Sequence, residues 1–239
     1  MRKSNKFLLG VIAVIAIAIV AFAIVARVVV ERNFDVTKTP RGERIRASEE
    51  YETKEYDFSG VKRIETTGNW NVKLVDSDDS VTIEYPENLK EYLEIEFDGE
   101  TLELKISELT RIAGLDSLRA TIPGGEVAKV SSAGMLHLSS ASFDFDRFEA
   151  DTAGSFVFSA PGATFAFLDI ESSGIAKYDL ASATIVSAHV EISGAGTGEF
   201  TMAGGSLTGD LSGASTITYS GSISELDVDT SGVSRVESK

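Results

Sequence analysis

The chain has 239 residues, with 22 Lys and Arg against 37 Asp and Glu, a formal net charge of −15 and no cysteine. So acidic a balance argues against nucleic acid as a partner. The missing thiols exclude disulfides, thiolate metal sites and lipidated cysteines. The length allows one sizeable domain plus an anchor.

Residues 1–6, with Arg2, Lys3 and Lys6, read as a short cytoplasmic tail. Phe7 to Ala26 follows as 20 uncharged, mostly aliphatic residues, the length that crosses a bilayer as a helix. The anchor is drawn over 7–30. A cleaved signal peptide is the competing reading, with small residues in "AFA" at 21–23, but its apolar core would exceed the roughly 7–15 residues usual there. Basic residues before the helix favour a cytoplasmic amino terminus. Arg27, Arg32, Lys38, Arg41, Arg44 and Arg46 pull the other way, so charge alone does not set the topology. Residues 31–55 are charged and unpatterned and read as a solvated tether, with contact to anionic lipid as the lesser reading.

From Tyr56 the pattern turns strand-like. "WNVKLV" (70–75), "VTIEY" (81–85), "LEIEF" (93–97) and "TLELKI" (101–106) alternate apolar and polar residues, the period of a half-buried strand. "PENLKEY" alone could hold a helical turn. Residues 56–126 are therefore expected to form a β-rich opening part.

A repeat follows. Gly134, Gly154, Gly174, Gly194, Gly213 and Gly232 recur every 20 or 19 residues, in "SSAGML", "DTAGSF", "ESSGIA", "EISGAG", "DLSGAS" and "DTSGVS". Gly114 fits the spacing, but its flanks do not match. Positions four and six before each glycine are mostly apolar, and strands resume after it. Such a period means stacked coils that share one core, since no repeat buries its apolar face alone. Leucine-rich repeats, propeller blades and hexapeptide helices fail on motif or period. The expected fold is all-β: a right-handed parallel β-helix over 127–239, with coils of about 20 residues, preceded by one transmembrane helix. The glycine column reads as a corner between sheet faces, so "GAGTG" (194–198) is a corner and not a phosphate loop.

The stretch "DFSGVKRIETTGNWNVKLV…" and the closing "ISGAG…DLSGASTITYSGSISELDVDTSGVSRV" resemble the head GIN domain family, labelled auto-transporter adhesins. The resemblance spans about residues 56–239. It implies a right-handed β-helix outside the cytoplasm and supplies no catalytic residue. Members often look secreted or lipid-anchored, and the apolar segment of this chain departs from that.

Motifs for phosphate loops, nucleophile elbows and zinc helices are missing. "DSDDS" (76–80) lacks the glycine and closing Glu of a calcium loop. His137 and His189 are 52 residues apart, and "FDFDRF" (143–148) reads as well as a turn as it does as a polysaccharide-active site. One constellation stands out. Three positions before the corner glycines come Ser131, Asp151, Glu171, Glu191, Asp210 and Asp229; two earlier come Lys129, Glu149, Asp169, His189, Thr208 and Asp227. Alternation points both columns outward, placing eight carboxylates on one face. Such charges can simply be solvated and guard against sheet aggregation. The sharper expectation makes Asp151, Glu171, Glu191, Asp210 and Asp229 a seat for calcium or a cationic partner; no other cofactor is expected. The function expected is a membrane-anchored, envelope-exposed binding or adhesion module without catalysis. The alternatives are a self-associating envelope scaffold, for which a homo-oligomer is the natural state, and a polysaccharide-active enzyme.

Overall fold

A computed structural model of the chain describes residues 44–57, 60–77, 80–107, 111–114 and 118–239. The anchor expected over 7–30 and the first part of the tether lie outside these residues. Among the described residues no helix is long and apolar enough to cross a membrane.

The described chain is all-β. Its strands are β1 (Arg44–Arg46), β2 (Tyr51–Tyr56), β3 (Arg63–Val75), β4 (Val81–Pro86), β5 (Leu93–Asp98), β6 (Thr101–Ile106) and β7 (Arg111–Ala113). They continue with β8 (Leu118–Pro123), β9 (Lys129–Ser140), β10 (Asp144–Ser159), β11 (Thr164–Ala203), β12 (Ser206–Ser222), β13 (Glu225–Gly232) and β14 (Arg235–Ser238). One 3-10 helix, Glu87–Tyr92, falls where "PENLKEY" suggested a helical turn. The strands β1 and β2 fall inside the stretch that composition reads as a tether. The reason is positional: β2 is an outer strand, antiparallel to β4, where Glu and Lys can face water while Tyr51 and Tyr56 half-bury.

The long strands pair in parallel, with each repeat register-matched to the next. Gly134 pairs with Gly154, Gly154 with Gly174, Gly194 with Gly213 and Gly213 with Gly232. We call each such layer a rung. The first rung is β3, whose Gly68 pairs with Gly134. Thus Gly68, and not Gly114, begins the glycine column. The excursion from β4 to β8 separates the first two rungs and covers β3: β6 pairs along its first half and β8 along its second.

Inward positions supply the core. Val130, Ala150, Ile170 and Val190 are buried in one column, and Phe148, Leu168, Ala188 and Leu207 in another. Ala128 is exposed, and Val127 beside it is buried instead. Leu226 is 49% exposed, because among the described residues no further rung covers β13. Phe145 stacks on Phe165 at 5.0 Å and Phe148 on Phe158 at 5.3 Å, aromatic contacts that add to burial. A third inward column is polar at first and apolar later. Thr66 donates to Ser132 at 2.8 Å, and Thr152 and Ser172 share a hydrogen bond at 2.9 Å. Ile192 and Leu211 then take the same position, buried. Paired hydroxyls avoid the cost of burying lone polar groups.

Two glycines of "GAGTG" have a different reason from the corner. Gly194 is the corner, at φ +142°. Gly196 and Gly198 face inward on the strand that follows, where a side chain at 198 would meet the Ile217 methyl at 2.8 Å and the Phe200 ring at 3.1 Å. They are small because large neighbours fill their space.

Candidate ligand-binding face

The strand register builds the site. In the column three residues before the corner, Asp151 pairs with Glu171, Glu191 with Asp210 and Asp210 with Asp229. All five side chains are exposed. The neighbouring column aligns Glu149 with Asp169, and Thr208 with His189 and Asp227. The register and exposure set these residues side by side on adjacent strands. Asp151, Glu171, Glu191 and Asp210 line a groove of about 330 Å³, with Ser173, Ser193 and Ser212 beside the corner.

The ladder is uneven in charge along its length. Toward β3 it is compensated: Arg147 donates to Glu149 at 2.6 Å and to Asp169 at 2.5 Å, and Lys129 reaches Glu149 at 3.2 Å. The hydrogen bond from Arg147 holds the Glu149 carboxyl below its usual range, against the opposing effect of burial. From Asp151 onward, no Lys or Arg among the described residues pairs with the column. His189 reaches it, touching Glu191 at 3.1 Å and Thr208 at 3.1 Å. Neighbouring carboxylates on adjacent strands are roughly 4.8 Å apart at the backbone, which costs about 0.9 kcal/mol per pair in water before screening. That repulsion is modest, and among the described residues no Lys or Arg relieves it.

Among the described residues, no three His, Cys, Asp or Glu side chains converge tightly enough to hold a metal ion. The column is a strip of single carboxylates; an ion here would bridge two rungs. His137 stands exposed three residues after its corner, aligned with Asn71 and Val157, in a different column from His189. Arg147 of "FDFDRF" is spent on Glu149 and Asp169 and lies over the Phe167 ring at 4.7 Å, while Phe145 and Phe148 of the same stretch are buried.

Sequence reasoning missed a second groove on this face, lined by Lys62, Arg63, Lys129 and Arg147 among others. It joins residues that the excursion separates, so periodicity past Val127 does not reveal it. "ETTGNW" at 65–70 was the available signal, since it copies the corner pattern of "DTAGSF". Tyr178 was missed as well. Its phenol is buried with no hydrogen bond of normal geometry. Burial pushes its pKa up to about 12, a rise that the nearby Ser172 hydroxyl softens.

Register-matched parallel rungs and an ionic outer face define a repeat-built all-β protein whose chemistry sits on its surface. Residues 60–239 match the family described as "Putative auto-transporter adhesin, head GIN domain", and the chain belongs to that family. Among solved structures it is similar to a "putative adhesin" from Bacteroides fragilis, at 15% identity and a TM-score of 0.60, over 82% of this chain and 100% of that one. A "Putative lipid binding protein" from Parabacteroides distasonis is also similar, at 15% identity and a TM-score of 0.50, again over 82% and 100%. At such identities the likeness speaks for the fold alone. No curated protein matches the chain.

Proposed function

We propose that the protein is a membrane-anchored, envelope-exposed binding module of adhesin type, without catalysis. Residues 7–30 hold it in the membrane, and the domain stands outside the cytoplasm. The rungs wind as a right-handed parallel β-helix of about 20 residues per coil, the hand that parallel crossovers take in nearly all sheets. The family supports this reading through its adhesin description. The observation that carries it is the groove lined by Asp151, Glu171, Glu191 and Asp210, where Asp151 is in register with Glu171 and Glu191 with Asp210, and where no Lys or Arg among the described residues pairs with them. Such a strip suits a cationic partner whose charges arrive in series, and complementary charge speeds and selects the encounter. A groove of carboxylates and serines suits an acyl chain poorly, so lipid binding, for which one similar structure is named, is not proposed for this chain. Calcium is the smaller cation the same column would accept, bridging adjacent rungs.

The test is binding of a short oligolysine to the full chain in detergent, at fixed ionic strength and with or without calcium. Saturable binding is expected, weakened about tenfold or more by Glu171→Gln together with Glu191→Gln. Competition by calcium would place the ion on the same column. Undiminished binding to the double variant would remove the acidic groove from the function.

A further inference from the structure

The second groove, of about 580 Å³, lies on the same sheet face nearer the first rung. That volume falls in the range of about 300–1,000 Å³ typical of small-ligand sites. Four cations, Lys62, Arg63, Lys129 and Arg147, gather there on a chain whose net charge is −15. Three are already held: Lys62 by Glu100 at 2.5 Å, Lys129 by Glu149 at 3.2 Å, and Arg147 by Glu149 at 2.6 Å and Asp169 at 2.5 Å. Arg63 differs. It is exposed, has no ion pair among the described residues, and its register sets it opposite Lys129. Like charges directly opposite each other on paired strands are destabilising, and among the described residues no carboxylate bridges these two.

Paired strands lie roughly 4.8 Å apart, close enough for the two oxygens of one carboxylate to reach one cation each. The remaining walls narrow the ligand further. Glu65, Glu100 and Glu149 accept hydrogen bonds but repel a second negative charge, and Ala128 and Ser131 add only small side chains. No aromatic or large aliphatic side chain lines the groove, which disfavours an apolar ligand. A single carboxylate on a hydroxyl-rich frame satisfies every wall.

We infer that this groove binds an acidic sugar, its carboxylate bridging Arg63 and Lys129 and its hydroxyls donating to the surrounding glutamates. A hydrogen bond between charged groups is worth more than a neutral one, so the bridge dominates affinity. The site is separate from the acidic groove, and it stands or falls independently of the cationic partner proposed there.

The experiment is titration of the full chain in detergent with glucuronate, glucose and inorganic phosphate. Glucuronate is expected to bind saturably and glucose to bind at least about tenfold more weakly. Arg63→Gln and Lys129→Gln should each weaken glucuronate about tenfold, and Arg63→Gln should not lower the melting temperature, because Arg63 is exposed and its neutralisation relieves the like-charge opposition to Lys129. Glu171→Gln with Glu191→Gln should leave that binding intact. Equal binding of glucose, phosphate binding without glucuronate, or full affinity in Arg63→Gln would each overturn the assignment. Absence of any glucuronate binding would do so too.

Discussion

A methyl group on Gly174 would stand 2.2 Å from the carbonyl oxygen of Gly154 on the neighbouring rung, and the backbone there sits at φ +128°. Neither strain can relax, since the obstacle is backbone. Gly174→Ala is therefore expected to cost about 2–3 kcal/mol, read as a fall in melting temperature. Ser173→Ala, next to it and exposed, should cost a few tenths of a kcal/mol at most. At Phe148, fully buried and stacked on Phe158, truncation to Ala should cost about 3–5 kcal/mol. Tyr178 gives a pH signature. Its folded pKa, about 12, lies above the unfolded value of about 10, so the folded state holds the proton longer. Stability is then unaffected below pH 10 and falls as pH rises from about 10 to 12, by about 2–3 kcal/mol in all. Tyr178→Phe should abolish that share of the loss and be neutral or slightly stabilising at pH 7, because it removes a buried hydroxyl without a partner. Denaturant melts of the two proteins across this range check both signs. The glycine column from Gly134 onward was legible in the sequence because each glycine sits in the same short frame, whereas Gly68, in the same frame, was missed because the insertion breaks the spacing. The inward glycines were not, because what keeps Gly198 small is Ile217 on the next rung.

At the scale of elements, the two outward columns were legible because alternation fixes sides once the period is known. What the sequence could not give was compensation between columns. Arg147 reaches Asp169, 22 residues away, and Arg63 lies opposite Lys129 across the whole β4–β8 excursion. Such pairings depend on register, and the register of β3 was hidden by the insertion that follows it. Gly114 mimicked the period by coincidence of spacing and sits instead just past the end of β7, near Arg46 of its partner β1. Charge in β2 was misleading for a related reason, since an outer strand needs little burial. The uncompensated half of the ladder makes its own prediction. Glu191 pairs in register with the like-charged Asp210, so Glu191→Gln removes repulsion and should raise the melting temperature slightly at low salt. The gain should vanish near 1 M salt, where the screening length drops to about 3 Å. Thermal melts at the two salt concentrations decide it. The same substitution also removes the contact with His189, an exposed pair that is worth little.

For the whole molecule, the 20-residue period bounded the fold class, and the family match over residues 60–239 agrees with the span of about 56–239 read from the opening "DFSGVKRIE…" stretch and the repeats. Function was less legible. Nothing in a periodic surface distinguishes a solvated face from a binding one until neighbouring rungs show which charges are spent and which are left over. Here the leftover charges divide the face into an acidic groove and a mixed one, both built from strand register. For the proposed role, the acidic groove must stand outside the cell and be open to a partner. The chain has no cysteine, so Ser193→Cys, exposed beside that groove, would be its single thiol. The decisive measurement is the labelling rate of this variant by a membrane-impermeant maleimide on intact cells, with and without oligolysine. The proposed role predicts labelling without lysis, slowed when oligolysine occupies the groove. Labelling that appears only after lysis would contradict it.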